Sequence, residues 1–259
     1  MFDAHIHMVT NDIDKIKSIV TNSKYRDIYL GYSAINYDKL DISEHLKACD
    51  GGFVMPYAFK ETNIREANVE LKKFADKSKL KKYYYVPFID EELYDEMVFD
   101  KTIGLKEHFY IHDSFKFYQR LKAYEYLNDE KKLLIIHCDN SIRINYIKFL
   151  HEKFPDMKIQ VAHLGVFRNS PVASRLVLDE LIDLENVYFD ISTIFDHDLI
   201  KYAINSNPEK VLFGTDVPYI QDDDYMKKYF DCIDKCDFNF TDRTGLMESN
   251  AKRLVDDIL

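Results

Sequence analysis

Short apolar runs alternate with longer amphipathic segments along most of the chain. The apolar runs carry many β-branched and aromatic residues, which is typical of parallel strands that are buried on both faces. We predict eight strands from these runs: "FDAHIH" from Phe2, "GFVMPYAF" from Gly52, "YYYVPFI" from Tyr83, "IGLKEHF" from Ile103, "LLIIHC" from Leu133, "KIQVAHLG" from Lys158, "VYFDIS" from Val187 and "VLFGTD" from Val211.

The segments between the runs have the spacing of amphipathic helices. In "NIREANVELKKFADK", Ile64, Ala67 and Leu71 fall on one face, and Asn63 with Glu66 forms the pattern of a capping box. The repeating unit of the chain is therefore a strand followed by a helix.

Eight such units within 259 residues predict a TIM barrel, a (β/α)8 fold, built as a single domain over residues 1–259. The main alternative is an open doubly wound sheet, which predicts a glycine-rich turn after an early strand. The chain has no G-x-G-x-x-G pattern and only 7 glycines, which favours the barrel. The stretch 24–50 does not fit the alternation, and we interpret it as an insertion after the first helix.

Charge, apolar runs and cysteine content indicate which partners and which cellular location to expect. The formal net charge of -10 argues against non-specific binding to nucleic acid, which depends on neutralising phosphates. No apolar run reaches the length of about 18 residues that a membrane span needs, and the first residues do not resemble a secretory signal. The 4 cysteines form no C-x-x-C pair. We therefore expect reduced thiols, a cytoplasmic location and no membrane partner.

Polar side chains stand at the carboxyl ends of five predicted strands, where a TIM barrel places its active site. Buried polar groups at strand ends are costly unless they have partners. They are His5 and His7 on the first strand, Lys106 on the fourth, His137 on the fifth, His163 on the sixth and Asp216 on the eighth.

The spacing of the first two histidines points to a metal site. Alternate residues of a strand share a face, so His5 and His7 point to the same side. With His137 and Asp216 they offer the nitrogen and oxygen ligands that zinc and related divalent ions prefer. Each residue alone has a structural explanation: a strand-end histidine can be a hydrogen-bonded core residue, and Asp216 can cap a helix. Their joint placement favours the metal site.

Four further residues are candidates for binding the substrate. His108 lies two residues beyond Lys106 and faces the same way. Arg143, Arg168 and Tyr219 follow the fifth, sixth and eighth strands, and arginine binds carboxylates well through its planar guanidinium. His112 falls in the loop predicted after the fourth strand, which makes it a weaker candidate.

The order of these residues and the stretches around them resemble a known family. "FDAHIH", "GLKEH", "LIIHC", "AHLG" and "LFGTDVPY" are similar to the amidohydrolase superfamily, and more narrowly to its amidohydrolase-2 branch of metal-dependent TIM-barrel hydrolases. That branch includes relatives of aminocarboxymuconate-semialdehyde decarboxylase. The resemblance spans nearly the whole chain and specifies no substrate.

The resemblance implies a role for each matching position. His5, His7, His137 and Asp216 would bind one divalent metal, with zinc as the first candidate. Asp216 would also take a proton from the attacking water, and His163 would hydrogen-bond the water or polarise the substrate. If Lys106 were carbamylated, it would bridge two metals, and His137 and His163 would hold the second.

The implied activity is hydrolysis of a small amide, lactone or ester, with carboxylated compounds as candidate substrates and a homodimer as a candidate assembly. A non-hydrolytic decarboxylase of the same branch is one alternative. A TatD-like nuclease is another, but those enzymes carry glutamate where this chain has Lys106. A barrel that binds metal without catalysis is the third.

Overall fold

The computed structural model describes residues 1–8, 42–59, 62–78, 80, 82–90, 92–93, 97–112, 117–138, 143–165, 170–219 and 224–259. Each of the eight predicted strands is present. They are β1 Phe2–Met8, β2 Gly51–Pro56, β3 Tyr83–Tyr85, β4 Gly104–His108, β5 Leu133–His137, β6 Lys158–Val161, β7 Val187–Asp190 and β8 Val211–Leu212.

All paired neighbours among the strands are parallel, and their order follows the sequence. β1 to β3 form one sheet and β4 to β8 form a second. Backbone contacts join the two sheets at both ends: Tyr85 bridges to Thr102 between β3 and β4, and Ile6 bridges to Val217 between the β8 end and β1. The Ala4 amide also donates to the Phe213 carbonyl at 2.8 Å. This cyclic order is that of a TIM barrel and confirms the predicted fold class.

Helices follow the strands and cover the outside of the barrel. Asn63 caps the helix after β2, because its side chain accepts a hydrogen bond from the Glu66 amide, as the sequence pattern predicts. The described helices are α1 Ser43–Ala48, α2 Ile64–Lys77, α3 Phe109–His112, α4 Phe117–Asp129, α5 Ile144–Lys153, α6 Pro171–Leu181, α7 His197–Ser206, α8 Tyr225–Asp234, α9 Phe240–Thr244 and α10 Asn250–Asp256.

The barrel interior changes from apolar to polar along the strands. Leu133 and Ile135 of β5 point into an inner cluster that Leu254 of α10 closes at the amino ends of the strands. His137 is the next residue on the same face of β5, so its ring lies toward the carboxyl ends. β5 thus supplies apolar side chains to the core before it supplies a polar one to the mouth.

Two sequence interpretations concern residues that are only partly described. Of the insertion interpreted over 24–50, residues 24–41 lie outside the described residues, and the described remainder contains α1. The single-domain organisation stays a prediction. The four cysteines are free and buried, in agreement with reduced thiols. Among the described helices there is none with the length and apolar character needed to cross a membrane.

Candidate metal centre

Three of the four predicted ligands converge at the mouth of the barrel. The Nε2 atom of His5 lies 3.3 Å from Nε2 of His7, and each of these atoms lies 3.4 Å from Oδ1 of Asp216. All three side chains are buried. Ligands that bind one tetrahedral zinc ion at about 2.0–2.1 Å are about 3.3–3.4 Å apart, so this triangle has the dimensions of a cation site.

The protonation of the two imidazoles also suits a cation. His5 donates from Nδ1 to the Asp190 carboxylate at 2.9 Å, and His7 donates from Nδ1 to the Pro56 carbonyl at 2.6 Å. Each ring therefore turns the lone pair of Nε2 toward the other. Two facing acceptors cannot hydrogen-bond each other, whereas one cation satisfies both. Outer hydrogen bonds of this kind orient metal-binding histidines in proteins.

Asp190 at the end of β7 organises this site, and the sequence analysis did not single it out. Its Oδ2 accepts from His5 and, at 2.7 Å, from Gln160, while its Oδ1 accepts from the amides of His163 and Ser192 at 3.1 Å. Burial acts to raise the pKa of Asp190, but the His5 ring and the hydrogen bonds from His5 and Ser192 outweigh it and hold the pKa well below its usual range. The signal was available, because a buried aspartate ends the stretch "VYFD".

His137 and His163 form the next part of the ring of imidazoles. His163 Nδ1 lies 3.0 Å from the Ser192 carbonyl, and His163 Nε2 lies 3.0 Å from Nδ1 of His137. If His163 donates to Ser192, then His137 donates to His163, which makes Nε2 of His137 an acceptor. The ring of His163 also lies 4.9 Å from the ring of His5. Binding of metal by His137 stays a prediction.

Lys106 and His108 complete the mouth on β4. Lys106 is fully buried, and its Nζ lies 3.4 Å from Nε2 of His5. The His108 ring stacks on the His137 ring at 4.0 Å between centroids. The two β4 side chains thus face the same interior as the histidine pair on β1. Their roles toward a substrate or a second metal stay predictions.

Burial sets the protonation states at the mouth. It lowers the pKa of His163 to about 3, and the neighbouring basic ring of His5 acts in the same direction. It also lowers the pKa values of His7, His108 and His137, with further lowering by neighbouring basic groups. These rings are therefore neutral at pH 7, as metal ligands must be. Burial raises the pKa of Asp216 to about 6.

Backbone strain is concentrated at the same place. His163, Thr193 and Asp216 have positive φ angles of 55°, 61° and 62°. For residues other than glycine this conformation costs about 1–3 kcal/mol and persists where the surroundings fix it, which is common at functional sites. The strained turns after β6, β7 and β8 thus fix the orientations of His163, Thr193 and Asp216, respectively.

The other three predicted substrate-binding residues lie in different surroundings. Tyr219 lies beside the site, with its ring 4.8 Å from that of His7 and its hydroxyl accepting from the Ala58 amide. Arg143 stacks over the Phe109 ring at 4.2 Å and lines a surface cavity of about 520 Å³. Arg168 lies outside the described residues. Contact of these residues with substrate stays a prediction.

The prediction that His112 lies in a loop is wrong. It ends the short helix α3, is fully buried, and its Nε2 lies 2.8 Å from the Ile89 carbonyl. Its Nδ1 lies 2.9 Å from both the amide and the carbonyl oxygen of His108. The helix begins directly after β4, so this histidine packs beneath His108.

Comparisons with known proteins agree with this architecture. A family model described as Amidohydrolase matches residues 101–256. Similar solved structures include an amidohydrolase 2 from Bifidobacterium longum subsp. infantis, with 14% identity, a TM-score of 0.67, and 99% of this chain and 98% of that chain covered. No curated protein sequence matches the chain.

Two further structural neighbours carry more specific names. One is a probable 2-pyrone-4,6-dicarboxylic acid hydrolase from Acinetobacter baumannii, with 12% identity, a TM-score of 0.66 and 98% of both chains covered. The other is a 5-carboxyvanillate decarboxylase from Sphingomonas paucimobilis, with 12% identity, a TM-score of 0.59 and 98% of both chains covered. At such identities the likeness establishes the fold alone.

Proposed function

Because the chain belongs to the amidohydrolase family, in its amidohydrolase-2 branch, we propose that it is a metal-dependent hydrolase of a small amide, lactone or ester. The observation that carries the proposal is the triangle of acceptor atoms on His5, His7 and Asp216, with sides of 3.3–3.4 Å. We propose zinc as the ion, held by these three residues and His137. A bound divalent cation supplies Lewis acidity, which polarises a carbonyl and lowers the pKa of water.

The side chains of the mouth perform the remaining tasks. Asp216 accepts a proton from the attacking water and returns it to the leaving group, and a pKa near 6 suits such exchange at neutral pH. His163 stays neutral and hydrogen-bonds the water or the substrate carbonyl. The buried Lys106 amine, when protonated, attracts an anionic group of the substrate. We therefore propose a carboxylated small molecule as the substrate class.

Decarboxylation is the second candidate, and the same observation at Lys106 supports it. Lys106 Nζ lies 3.4 Å from Nε2 of His5, so a protonated Lys106 would hold a substrate carboxylate beside the residues that would bind the metal. That carboxylate would serve either as a binding group or as the leaving group. The names of the structural neighbours include both a probable hydrolase and a decarboxylase. The two activities differ in whether water enters the product.

Metal content is the first test. Protein purified without chelators should hold about one divalent metal per chain by elemental analysis, and His5→Ala should lose it. His197→Ala is the matched control, because that histidine lies on the outer helix α7 with a side chain 47% exposed. Two equivalents would support a carbamylated Lys106. Failure of the wild-type protein to retain or take up zinc would refute the proposal.

Product analysis is the second test. A panel of carboxylated lactones, amides and esters is incubated in water labelled with heavy oxygen. Incorporation of heavy oxygen into the organic product supports hydrolysis, whereas release of carbon dioxide with an unlabelled organic product supports the decarboxylase. Turnover that Asp216→Asn leaves unchanged on every substrate would exclude the role of this carboxylate and favour a non-catalytic barrel.

A further inference from the structure

Another buried carboxylate, that of Asp3, lies just outside the mouth, on the same strand as the histidine pair. Asp3 is fully buried and accepts four hydrogen bonds. Its Oδ1 accepts from the amides of His5 at 3.0 Å and Thr215 at 3.1 Å. Its Oδ2 accepts from the Thr215 hydroxyl at 2.6 Å and from Nε2 of His45 at 2.7 Å. No role in metal chemistry follows from the sequence pattern for Asp3 or His45.

The four donors belong to three different segments of the chain. His5 is a ligand candidate on β1, Thr215 directly precedes the ligand candidate Asp216, and His45 lies on α1. β8 has only 2 residues, and beyond its end the Asp216 amide donates to the His5 carbonyl at 2.8 Å, which links the two segments through the backbone. The Asp3 carboxylate adds side-chain hydrogen bonds to the same two segments, and so reinforces the spacing between the backbone of β1 and the turn that carries Asp216.

The helix that supplies His45 is itself anchored. The Tyr83 hydroxyl of β3 lies 2.7 Å from the Leu46 carbonyl and 3.3 Å from the Cys49 carbonyl, at the end of α1. Tyr83 thus fixes the backbone of α1, and the imidazole of His45 on that helix hydrogen-bonds Asp3. The contacts connect β3, α1, Asp3 and the two segments that carry His5 and Asp216 in one continuous series.

We infer that Asp3 and His45 form a positioning clamp, which holds the His5 and Asp216 ligands at the spacing that a divalent cation requires. The inference rests on the proposed metal site. Neither residue touches the substrate in this arrangement: Asp3 acts through the backbone amides, and His45 acts through Asp3. Because outer hydrogen bonds of metal sites contribute about 10–100-fold in metal affinity, the clamp has a measurable effect.

The same residues have a second interpretation, which the geometry disfavours. Cys49 Sγ lies 3.5 Å from Nε2 of His45, so Asp3, His45 and Cys49 bring three ligand types within 4.8 Å. However, the 2.7 Å between Asp3 and His45 is a hydrogen-bond distance, shorter than the roughly 3.3 Å that separates two ligands of a tetrahedral ion. Both Asp3 oxygens also already accept two hydrogen bonds each. A clamp fits these distances and a cation does not.

Matched variants of His45 test the clamp. His45→Gln retains an N–H donor that can reach Asp3, whereas His45→Ala removes it. We expect His45→Ala to weaken Zn²⁺ binding about tenfold in a competition assay with a chromophoric chelator, and His45→Gln to stay within threefold of the wild type. Cys49→Ser is the control and should leave both affinity and zinc stoichiometry unchanged.

A readout without metal separates the clamp from the proposed function. Amide hydrogen exchange at His5 and Thr215 in the metal-free protein should accelerate at least tenfold in His45→Ala and stay near the wild-type rate in His45→Gln. Wild-type protein that binds no zinc refutes the proposed function, and the exchange rates then still decide the clamp. Equal zinc affinities and equal exchange rates in His45→Ala and the wild type would overturn it. A lower zinc stoichiometry in Cys49→Ser would overturn it in favour of a cation site.

Discussion

β4 places two polar clusters back to back, and their chemistry is opposite. The mouth cluster faces the barrel interior; the outer cluster faces α4 and α5. The members of the mouth cluster are His5, His7, Lys106, His108, His137, His163 and Asp216. The members of the outer cluster are Glu107, Arg120, Tyr124 and Tyr146. Lys106 and Glu107 are adjacent in sequence, and both are fully buried.

The outer cluster is arranged around one carboxylate. Arg120 donates to Glu107 in an ion pair, the Tyr124 hydroxyl donates to the same carboxylate at 2.7 Å, and the Tyr146 hydroxyl lies 3.2 Å from it. Burial raises the pKa of Glu107, and Arg120 and the tyrosines oppose that rise. Charge and hydrogen-bond donors are matched around one acid, as in a structural network.

The mouth cluster is not matched in this way. Basic groups outnumber its single carboxylate. Burial lowers the pKa values of His7, His108 and His137, and the neighbouring basic groups lower them further. The lone pairs of His5 and His7 face each other at 3.3 Å. Both clusters are buried and polar, so burial and polarity alone do not mark a functional site. The distinguishing property is a set of ligand atoms whose mutual repulsion a bound cation removes.

The largest expected effect is a loss of folding stability in acid, which arises from the histidines of the mouth cluster. Four of its histidines have pKa values below the ordinary 6.5, so the unfolded chain binds protons that the folded chain does not. The stability they confer is present above pH 6.5 and is lost as the pH falls. Each contributes a slope of about 1.4 kcal/mol per pH unit in the metal-free protein. Asp216 opposes this between about pH 6 and pH 4, because its raised pKa favours proton uptake in the folded state.

Urea unfolding of chelator-treated protein at pH 7 and pH 5 measures this loss. His108→Gln should reduce the slope of unfolding free energy against pH by the contribution of one histidine, about 1.4 kcal/mol per pH unit, because glutamine does not titrate in the unfolded chain. His197→Gln, at an exposed position, should leave the slope unchanged. A slope that is the same in all three proteins would show that the buried imidazoles are not its source.

Breaking the outer cluster should affect stability and spare the metal. Glu107→Gln removes the carboxylate charge that faces the buried Arg120 cation, which costs about 3–5 kcal/mol of unfolding free energy. We expect zinc affinity of the folded protein to stay within twofold of the wild type. Glu125→Gln is the matched control, since that glutamate is exposed on the same helix as Arg120. A tenfold loss of zinc affinity in Glu107→Gln would erase the distinction between the clusters.

Asp190→Asn, by contrast, should weaken metal binding. The amide keeps the volume of the side chain but presents an N–H₂ group where the carboxylate accepted from His5 or from the His163 and Ser192 amides. His5 then loses the partner that keeps its Nε2 unprotonated, and we expect a 10–100-fold loss of zinc affinity. Chelator competition measures the affinity, and NMR of the imidazole nitrogens reports the His5 tautomer. Asp183→Asn, exposed after α6, is the control, and equal affinities in the two variants would contradict the role of Asp190.

The pattern of apolar residues along the chain was sufficient to predict the fold but not the hydrogen bonds that organise the site. Eight strands are recognisable because a strand buried on both faces must be apolar, and that constraint is local. The His-x-His spacing of His5 and His7 is local as well. By contrast, Asp190 and Asp3 act on residues far away in the chain, and their hydrogen bonds depend on which strands become neighbours. A single sequence shows that such an aspartate is buried but not which donor it meets.

The smallest effect is expected at the edge of the mouth cluster. Tyr219 packs its ring against His7 and accepts the Ala58 amide through its hydroxyl. Tyr219→Phe leaves that amide without this acceptor, which costs about 1 kcal/mol of stability, while the ring contact and the zinc affinity remain. Thermal unfolding and chelator competition measure the two quantities, and Tyr118→Phe, on an exposed side chain, is the control. If Tyr219→Phe instead lowers turnover tenfold at full zinc occupancy, the hydroxyl contacts the substrate. The functional part of the mouth would then extend beyond the residues that hold the cation.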